Sequence, residues 1–158
     1  MSRSQLNFGL LIVTASIGVA GPTLASEANC FDAEISATII RETPTRAPRC
    51  GDDCIIMSWP WIVELRVKRV FSGELKRGPL TVLTVQHTDH RRGLGERRWK
   101  LRRNTLGTFN VLQSEDGTLQ RCSSDAPPAS PFIQPAEGQT LDDLRREGEV
   151  YYGRRTER

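Results

Sequence analysis

Several features that carry enzymatic chemistry are missing from this sequence. Only two histidines occur in 158 residues, and there is no Gly-x-Ser-x-Gly nucleophile elbow, no His-Glu-x-x-His zinc motif and no glycine-rich phosphate loop. Two pairs of adjacent aspartates exist, but Asp52-Asp53 lies between two cysteines and Asp142-Asp143 lies where a helix would begin. Each pair therefore has a structural explanation. The sequence predicts a protein that is not an enzyme and that holds neither a cofactor nor a metal.

A long hydrophobic run is also missing beyond the N-terminal region. The longest apolar run, Phe8 to Gly21, has 14 residues, which suits the core of a signal peptide and is shorter than the ~20 residues of a membrane-spanning helix. Thr23 and Ala25 place small residues at the −3 and −1 positions of a cleavage site after Ala25. Cleavage after Ala28 and an uncleaved anchor are the alternatives. We expect residues 1–25 to be a signal peptide and the mature protein to be secreted, into a periplasm or outside the cell.

Charge and cysteine content describe the exported part. The formal charge of +3 becomes +2 without Arg3, which is too small to identify a partner. All four cysteines follow residue 25, and an even number in an oxidising compartment predicts two disulfides. We favour Cys30–Cys122 together with Cys50–Cys54. The alternative pairs Cys30 with one member of the 50/54 pair and Cys122 with the other.

Alternating apolar residues predict a mainly β domain over residues 26–125. The predicted strands are Ala33–Ile39, Trp61–Lys68, Leu80–His87, Arg98–Arg102, Thr108–Gln113 and Thr118–Cys122. A bulge is expected near Val70 and Phe71, and Trp99 and Leu101 should face inward. The last two strands are expected to form a hairpin around residues 114–117. Arg41–Arg49 and His87–Gly95 are predicted loops. Five or six short strands with many turns indicate a small barrel or a sandwich.

Residues 126–158 are predicted to form a Pro/Ala-rich connector, a short helix and a charged tail. Thr140 is the expected N-cap of a helix Leu141–Glu147, with Asp143 completing a capping box. Leu141 and Leu144 would then contact the β domain. There is no internal repeat and no second apolar domain in the sequence, so we expect a monomer with a single core.

The order of these motifs resembles the netrin-like module, which includes the tissue inhibitors of metalloproteinases. The resemblance covers Cys30 to Cys122 and rests on five segments: Ala33–Ile40, Val70-Phe71-Ser72-Gly73-Glu74-Leu75, Leu80–Val85, Gly107-Thr108-Phe109-Asn110-Val111-Leu112, and Asp116-Gly117 followed by Leu119 and Cys122-Ser123. The resemblance implies a five- to six-stranded OB-like barrel with a short C-terminal helix. This chain lacks the family's usual cysteine near Gly93–Gly95. Inhibition in that family requires an N-terminal cysteine, so metalloprotease inhibition is implied only if Cys30 begins the mature chain.

Two small clusters could hold a metal or carry redox chemistry. Cys50 and Cys54 form a Cys-x-x-x-Cys pair, but no histidine lies within thirty residues of it, so a structural disulfide is the better interpretation. His87 and His90 flank Asp89. In an extended segment these two imidazoles point to opposite faces, which favours ordinary loop residues over a metal site. A metal or redox carrier using Cys50 and Cys54 or His87 and His90 is therefore kept as a further alternative function.

One segment has a high density of positive charge. Between Asp89 and Arg103, seven basic residues oppose two acids, a balance of +5. These residues are Arg91, Arg92, Arg97, Arg98, Lys100, Arg102 and Arg103. If Trp99 and Leu101 face inward, Arg98, Lys100 and Arg102 line an outer face that attracts a polyanion. The competing explanation is a solvated edge strand whose charges prevent aggregation. We expect a secreted binding module for a protein or for an acidic glycan or lipid surface, and not for nucleic acid, which is scarce outside the cell.

Overall fold

A computed structural model describes residues 30–47, 55–88, 95–112 and 119–153. Several expectations concern residues outside these ranges. They are the signal peptide at residues 1–25, the Cys50–Cys54 disulfide, His90, Arg91 and Arg92, and the turn at residues 114–117.

Seven strands and one helix make up the described part of the chain. They are β1 (Cys30–Phe31), β2 (Ala33–Pro44), β3 (Trp59–Ser72), β4 (Gly78–Gln86), β5 (Arg97–Arg103), β6 (Phe109–Leu112), β7 (Gln120–Arg121) and α1 (Leu141–Tyr152). Strands β2 to β6 close into a barrel in the order β2-β3-β4-β6-β5, in which β4 and β6 are parallel. The predicted fold class is confirmed: a mainly β, small OB-like barrel with a C-terminal helix.

The barrel interior is filled by the inward residues of the alternating strands. The buried cluster consists of Ala33, Ile35, Ala37, Trp61, Val63, Leu65, Val67, Val82, Trp99, Leu101 and Val111. Trp99 and Leu101 face inward as predicted, which places Arg98 and Lys100 on the opposite side of β5. The period of two in the sequence therefore sets the two faces of this strand.

Three bulges bend the long β2–β3 pair around the barrel. In its register, Glu34 pairs with Ser72 and Ile35 with Val70, so Phe71 is an extra residue. Lys68 and Ile40 are skipped in the same way further along the pair. The predicted bulge near Val70 and Phe71 is thus confirmed. Bulges raise the local twist and let a long strand turn a corner, which closure of a five-stranded barrel requires.

The predicted hairpin of residues 108–113 and 118–122 is wrong. β6 pairs with β4 on one side and with β5 on the other, so both of its edges are occupied. β7 instead pairs in parallel with β1, where Cys30 is opposite Gln120 and Phe31 is opposite Arg121. A turn signal between two apolar segments marks a reversal of the chain, but barrel closure decides which strand each segment pairs with.

A disulfide fixes this small β1–β7 sheet. Cys30 and Cys122 are bonded and are 92 residues apart in sequence, as the favoured pairing predicted. The Cys122 amide also donates a hydrogen bond to the Phe31 carbonyl, with 2.9 Å between nitrogen and oxygen. The alternative pairing of Cys30 or Cys122 with Cys50 or Cys54 is excluded because both partners are already used.

Helix α1 covers the outer side of the barrel near the end of β2. Leu141 and Leu144 pack against an outer cluster of Ile62, Leu83 and Ile133, as predicted. The helix is longer than the expected Leu141–Glu147 and continues to Tyr152. Gly148 is the buried residue of α1, and a Cβ at this position would overlap the Pro44 carbonyl oxygen. The absence of a side chain is what allows the helix to lie this close to the barrel.

The segment Arg41–Arg49 is not entirely the exposed loop that its prolines suggested. Residues 41–44 continue β2, and Pro44 is paired with Trp61 at the last position of the strand. A proline is tolerated there because the next residue supplies the hydrogen bond to β3: the Thr45 amide donates to the Pro60 carbonyl at 3.2 Å. Glu42 and Thr43 are also buried. The Gln86 side-chain amide donates a hydrogen bond to Glu42 Oε1 at 3.1 Å, which stabilises this carboxylate in its buried position.

Candidate binding face for an anionic partner

The outer sides of β5, β2 and β3 form one continuous surface. In the β5–β2 register Arg98 is opposite Ser36, and in the β2–β3 register Ser36 is opposite Arg69. Neighbouring strands lie about 4.8 Å apart, so this row spans about 10 Å. Thr38 is opposite Arg66 in a second row. We call this surface the basic face, and it consists of Arg66, Lys68, Arg69, Arg98 and Lys100 around Phe71.

Three basic residues of this face were missed by the sequence analysis. Arg66, Lys68 and Arg69 of β3 are exposed, because they alternate with the buried Leu65 and Val67 and the bulge then sets Arg69 outward. The signal was present in the sequence, where Arg66, Lys68 and Arg69 are near neighbours. Only strand pairing brings them beside the basic segment of β5.

The acidic groups of the basic face neutralise part of its charge. Glu34 forms an ion pair with Arg98, with 3.2 Å between Oε1 and Nε. Glu96 accepts a hydrogen bond from the Ser36 hydroxyl. Within the described ranges no ion pair involves Arg66, Lys68 or Arg69. The β3 side of the face therefore carries the positive charge that is least compensated.

Aromatic rings support two of the cations. The Arg98 guanidinium carbon lies 4.2 Å from the centre of the Phe71 ring, which is itself 43% exposed. The Lys100 ammonium lies 5.1 Å from the centre of the Phe31 ring. Cation–π contacts at exposed sites contribute about 0.5–1 kcal/mol each. They hold the two cations over the barrel surface and reduce the side-chain entropy that a ligand would have to remove.

The other members of the predicted basic segment that the structure describes, Arg97, Arg102 and Arg103, do not join this face. Arg97 is half-buried and lies over the Trp99 ring, and Arg103 is exposed at the far end of β5. Arg102 has the same strand parity as Arg98 and Lys100, yet its side chain is only 4% exposed. The expectation that Arg102 lines the outer face with Arg98 and Lys100 is therefore corrected.

The connector after β7 explains the burial of Arg102. Arg102 donates to the Pro127 carbonyl, and the Ala129 amide donates to the Arg103 carbonyl at 2.9 Å. Further along, the Asn110 amide group donates to the Ser130 carbonyl at 2.8 Å. These bonds hold residues 126–130 against the end of β5, where they cover Arg102. A strand pattern shows which side a residue points to but not which distant segment covers that side.

Barrel closure removes the competing explanation for part of the charge on β5. Charged residues on a free sheet edge prevent edge-to-edge aggregation. β5 is hydrogen-bonded to β2 on one side and to β6 on the other. Lys100 is paired on both sides, so protection of an edge does not account for its charge, whereas among the described residues Arg98 is paired on the β2 side alone.

The histidine and acidic residues form no comparable site in the part of the chain that is described. His87 is exposed, and its Nδ1 is hydrogen-bonded to the Met57 carbonyl. No group of three or more histidine, cysteine, aspartate or glutamate side chains among residues 30–47, 55–88, 95–112 and 119–153 is arranged to hold a metal ion. Across those same ranges, no helix combines the length and the apolar character needed to cross a membrane.

Comparison with known proteins does not extend this description: no family model, no curated protein and no solved structure matches the chain. The candidate site therefore rests on its own geometry.

Proposed function

We propose that this protein is a secreted, non-enzymatic binding module that holds an acidic glycan on the basic face. The single observation that carries the proposal is the exposed group Arg66, Lys68 and Arg69, which has no ion-pair partner among the described residues and lies beside Arg98. Such a surface raises the local concentration of a polyanion and accelerates its association.

The layout of the charges favours a polymer over a single small anion. The cations belong to two strands on either side of β2 and to successive outward positions along each strand. Outward positions of a strand recur about every 6.6 Å. A ligand that contacts all of them needs negative groups repeated over roughly 10 Å or more, which a sulfated or carboxylated glycan chain provides. The likeness to netrin-like modules and the predicted export agree with an extracellular binding role.

Heparin chromatography at low salt tests the proposal with matched variants. The double variant Arg66→Glu and Arg69→Glu reverses two charges on the basic face. The control, Lys76→Glu and Arg77→Glu, reverses two exposed charges in the β3–β4 turn. We expect the first variant to elute at much lower salt than the unmodified protein and the control to elute close to it. Arg102 is left out of the test because its burial would confuse binding with folding.

Equal loss of retention in the two variants would mean that heparin senses only net charge, and the basic face would then not be a site. A second arm separates glycans from lipids. We expect heparin oligosaccharides to compete for the protein more effectively than vesicles containing phosphatidylglycerol. If the vesicles bind the protein through Arg66 and Arg69 and the oligosaccharides do not compete, the glycan assignment is wrong.

A further inference from the structure

A second polar site lies at the end of the barrel, beside the Cys30–Cys122 disulfide. Here a cavity of about 270 Å³ is lined by Asp32, by the start of the β3–β4 turn, by the end of β5 and by residues 121–124, 126 and 128. We call it the disulfide cleft, because Cys122 forms part of its wall. No residue of the basic face lines it, so it is a separate place on the molecule.

Three arginines and two acids line the disulfide cleft: Arg102, Arg103 and Arg121 against Asp32 and Glu74. This count leaves one net positive charge. Arg102 and Asp32 neutralise each other in an ion pair of 2.6 Å. Arg103 and Arg121 are exposed, and within the described ranges neither forms an ion pair, even with Glu74. Two guanidinium groups are therefore available to a ligand in the cleft.

The backbone that carries these two arginines is firmly held. Asp32 Oδ2 accepts hydrogen bonds from the Arg102 side chain and from the Arg103 amide, each at 2.6 Å. Arg121 belongs to β7, which the disulfide and the β1 pairing fix in place. Groups that are already positioned lose less freedom when a ligand binds. Asp32 thus helps to fix the backbone of Arg103, and the disulfide fixes that of Arg121.

Neutral donors complete the lining. Ser123 and Ser124 follow the disulfide directly and contribute to the cleft. The Ser123 hydroxyl donates its hydrogen bond to Asp125, which lowers the pKa of that carboxyl, so the hydroxyl of Ser124 is the neutral side-chain donor left for a ligand. Asp125 itself does not line the cleft. The lining residues that can donate therefore belong to three segments: β5, β7 and the segment after β7.

We propose that the disulfide cleft binds a tetrahedral oxyanion, namely the phosphate or sulfate group of a small ligand. Guanidinium groups form strong charge-assisted hydrogen bonds to both carboxylate and phosphate oxygens. A carboxylate offers two oxygens in one plane, whereas a phosphate or sulfate ester offers three oxygens in three directions. Donors that converge from several elements match the tetrahedral group. The volume of the cleft suits one such group with a small substituent, not a polymer.

Titration followed by ¹H–¹⁵N NMR tests this inference at constant ionic strength, with inorganic phosphate, sulfate and acetate as separate probes. We expect saturable shifts at the amides of Arg103, Arg121, Ser123 and Ser124 with phosphate or sulfate. We expect weaker shifts with acetate. Binding of phosphate but not sulfate would identify a phosphate ester as the ligand class, and the reverse would identify a sulfate ester. Both results support the inference.

Matched variants locate the binding. Arg103→Gln and Arg121→Gln should each weaken oxyanion binding by about tenfold or more, because each removes one charge-assisted contact. Arg66→Gln, on the basic face, should leave it unchanged. The spectra themselves show whether each variant is folded. Three results would overturn the inference: shifts that do not saturate, shifts of equal size with acetate, or equal oxyanion binding by all three variants.

Heparin retention separates this site from the proposed function. Arg103→Gln and Arg121→Gln should retain heparin binding, while Arg66→Glu with Arg69→Glu should retain oxyanion binding. Loss of both activities in either set of variants would show that the cleft and the basic face are not independent sites, and would overturn this part of the inference.

Discussion

The Arg102–Asp32 ion pair is the most buried charge pair described in this protein. The Arg102 side chain is 4% exposed and that of Asp32 is 18% exposed. Asp32 also accepts from the Arg103 amide, so it neutralises a guanidinium and satisfies a backbone donor at once. A charge in such surroundings is tolerated because its partner is present. Removing the partner leaves an uncompensated buried charge, which is the costly state.

We therefore expect Asp32→Ala to lower the free energy of unfolding by about 3 kcal/mol, at the lower end of the range for buried pairs because Asp32 keeps some exposure. Urea denaturation measures the change. The control is Glu34→Ala, which breaks the Arg98 ion pair on the surface and should lower stability by no more than about 1 kcal/mol. Similar values for both variants would mean that the connector does not shield Arg102 from water.

Among the elements, α1 combines local and long-range stabilisation. Locally, Thr140 and Asp143 form a reciprocal capping box at its start. At long range, Glu64 of β3 accepts hydrogen bonds from Arg41 at 2.5 Å and from Arg145 at 3.3 Å. The bond to Glu64 raises the pKa of Arg41 above its ordinary value. The helix is thus tied to the barrel by charges as well as by Leu141 and Leu144.

The capping box gives this element a pH dependence. Hydrogen bonds from Thr140 lower the pKa of Asp143 to about 2 in the folded protein, from an ordinary value of 3.8. Because the folded pKa is the lower one, the stabilisation is fully present above pH 3.8 and is lost as the pH falls towards 2. We expect Asp143→Asn to lower the melting temperature at pH 6, with the difference from the unmodified protein shrinking between pH 4 and pH 2.

Thermal unfolding followed by circular dichroism at several pH values measures this difference. Asp142→Asn is the matched control, since Asp142 is also in the first turn but does not cap it. If the Asp143→Asn difference stays constant down to pH 2, the capping carboxylate is not what titrates.

At the scale of the whole molecule, the Cys30–Cys122 bond joins the two ends of the barrel sequence. It closes a loop of 92 residues and holds β1 against β7. The barrel strands lie between these cysteines in the sequence, so the bond restricts the unfolded chain over nearly its entire barrel-forming length. The same bond supplies a wall of the disulfide cleft.

Replacing both cysteines, Cys30→Ser with Cys122→Ser, should lower the free energy of unfolding by about 4 kcal/mol, from the loop-closure entropy of a long loop. Guanidinium denaturation gives the value. Cys50→Ser with Cys54→Ser is the control, because the bridge predicted between them would span only three residues and restrict the unfolded chain far less. A larger loss in the control than in the first variant would contradict this assignment of roles.

Much of the barrel could be predicted because its signals are local. The alternation of Trp61, Val63, Leu65 and Val67 with polar residues depends only on the two-residue period of a strand. The Thr140 cap and the helix after it depend on neighbouring residues in the same way. The helix end was misplaced because contacts with the barrel continue α1 past Glu147, and the period within the helix does not reveal them.

The candidate sites could be predicted only in part. The sequence identified the basic character of β5, since Arg98 and Lys100 alternate with Trp99 and Leu101. It did not place Arg66 and Arg69 on the same face, because β2 lies between β3 and β5 and the residues concerned are some 30 positions apart in sequence. The disulfide cleft was missed entirely. Its lining comes from four separate stretches of the chain, and none of them carries a recognisable motif.

The sequence by itself determined which residues of the predicted strands face inward and where the helix starts, and it favoured the pairing of Cys30 with Cys122 over its alternative. These follow from local periodicity, local capping and cysteine chemistry. Only the tertiary structure decided that β7 joins β1, that the connector buries Arg102, and that cations of β3 and β5 share one face. Each of these depends on which of several distant segments pairs with a given strand edge or covers a given surface. The closed barrel decides this, and no local pattern in the sequence reveals it.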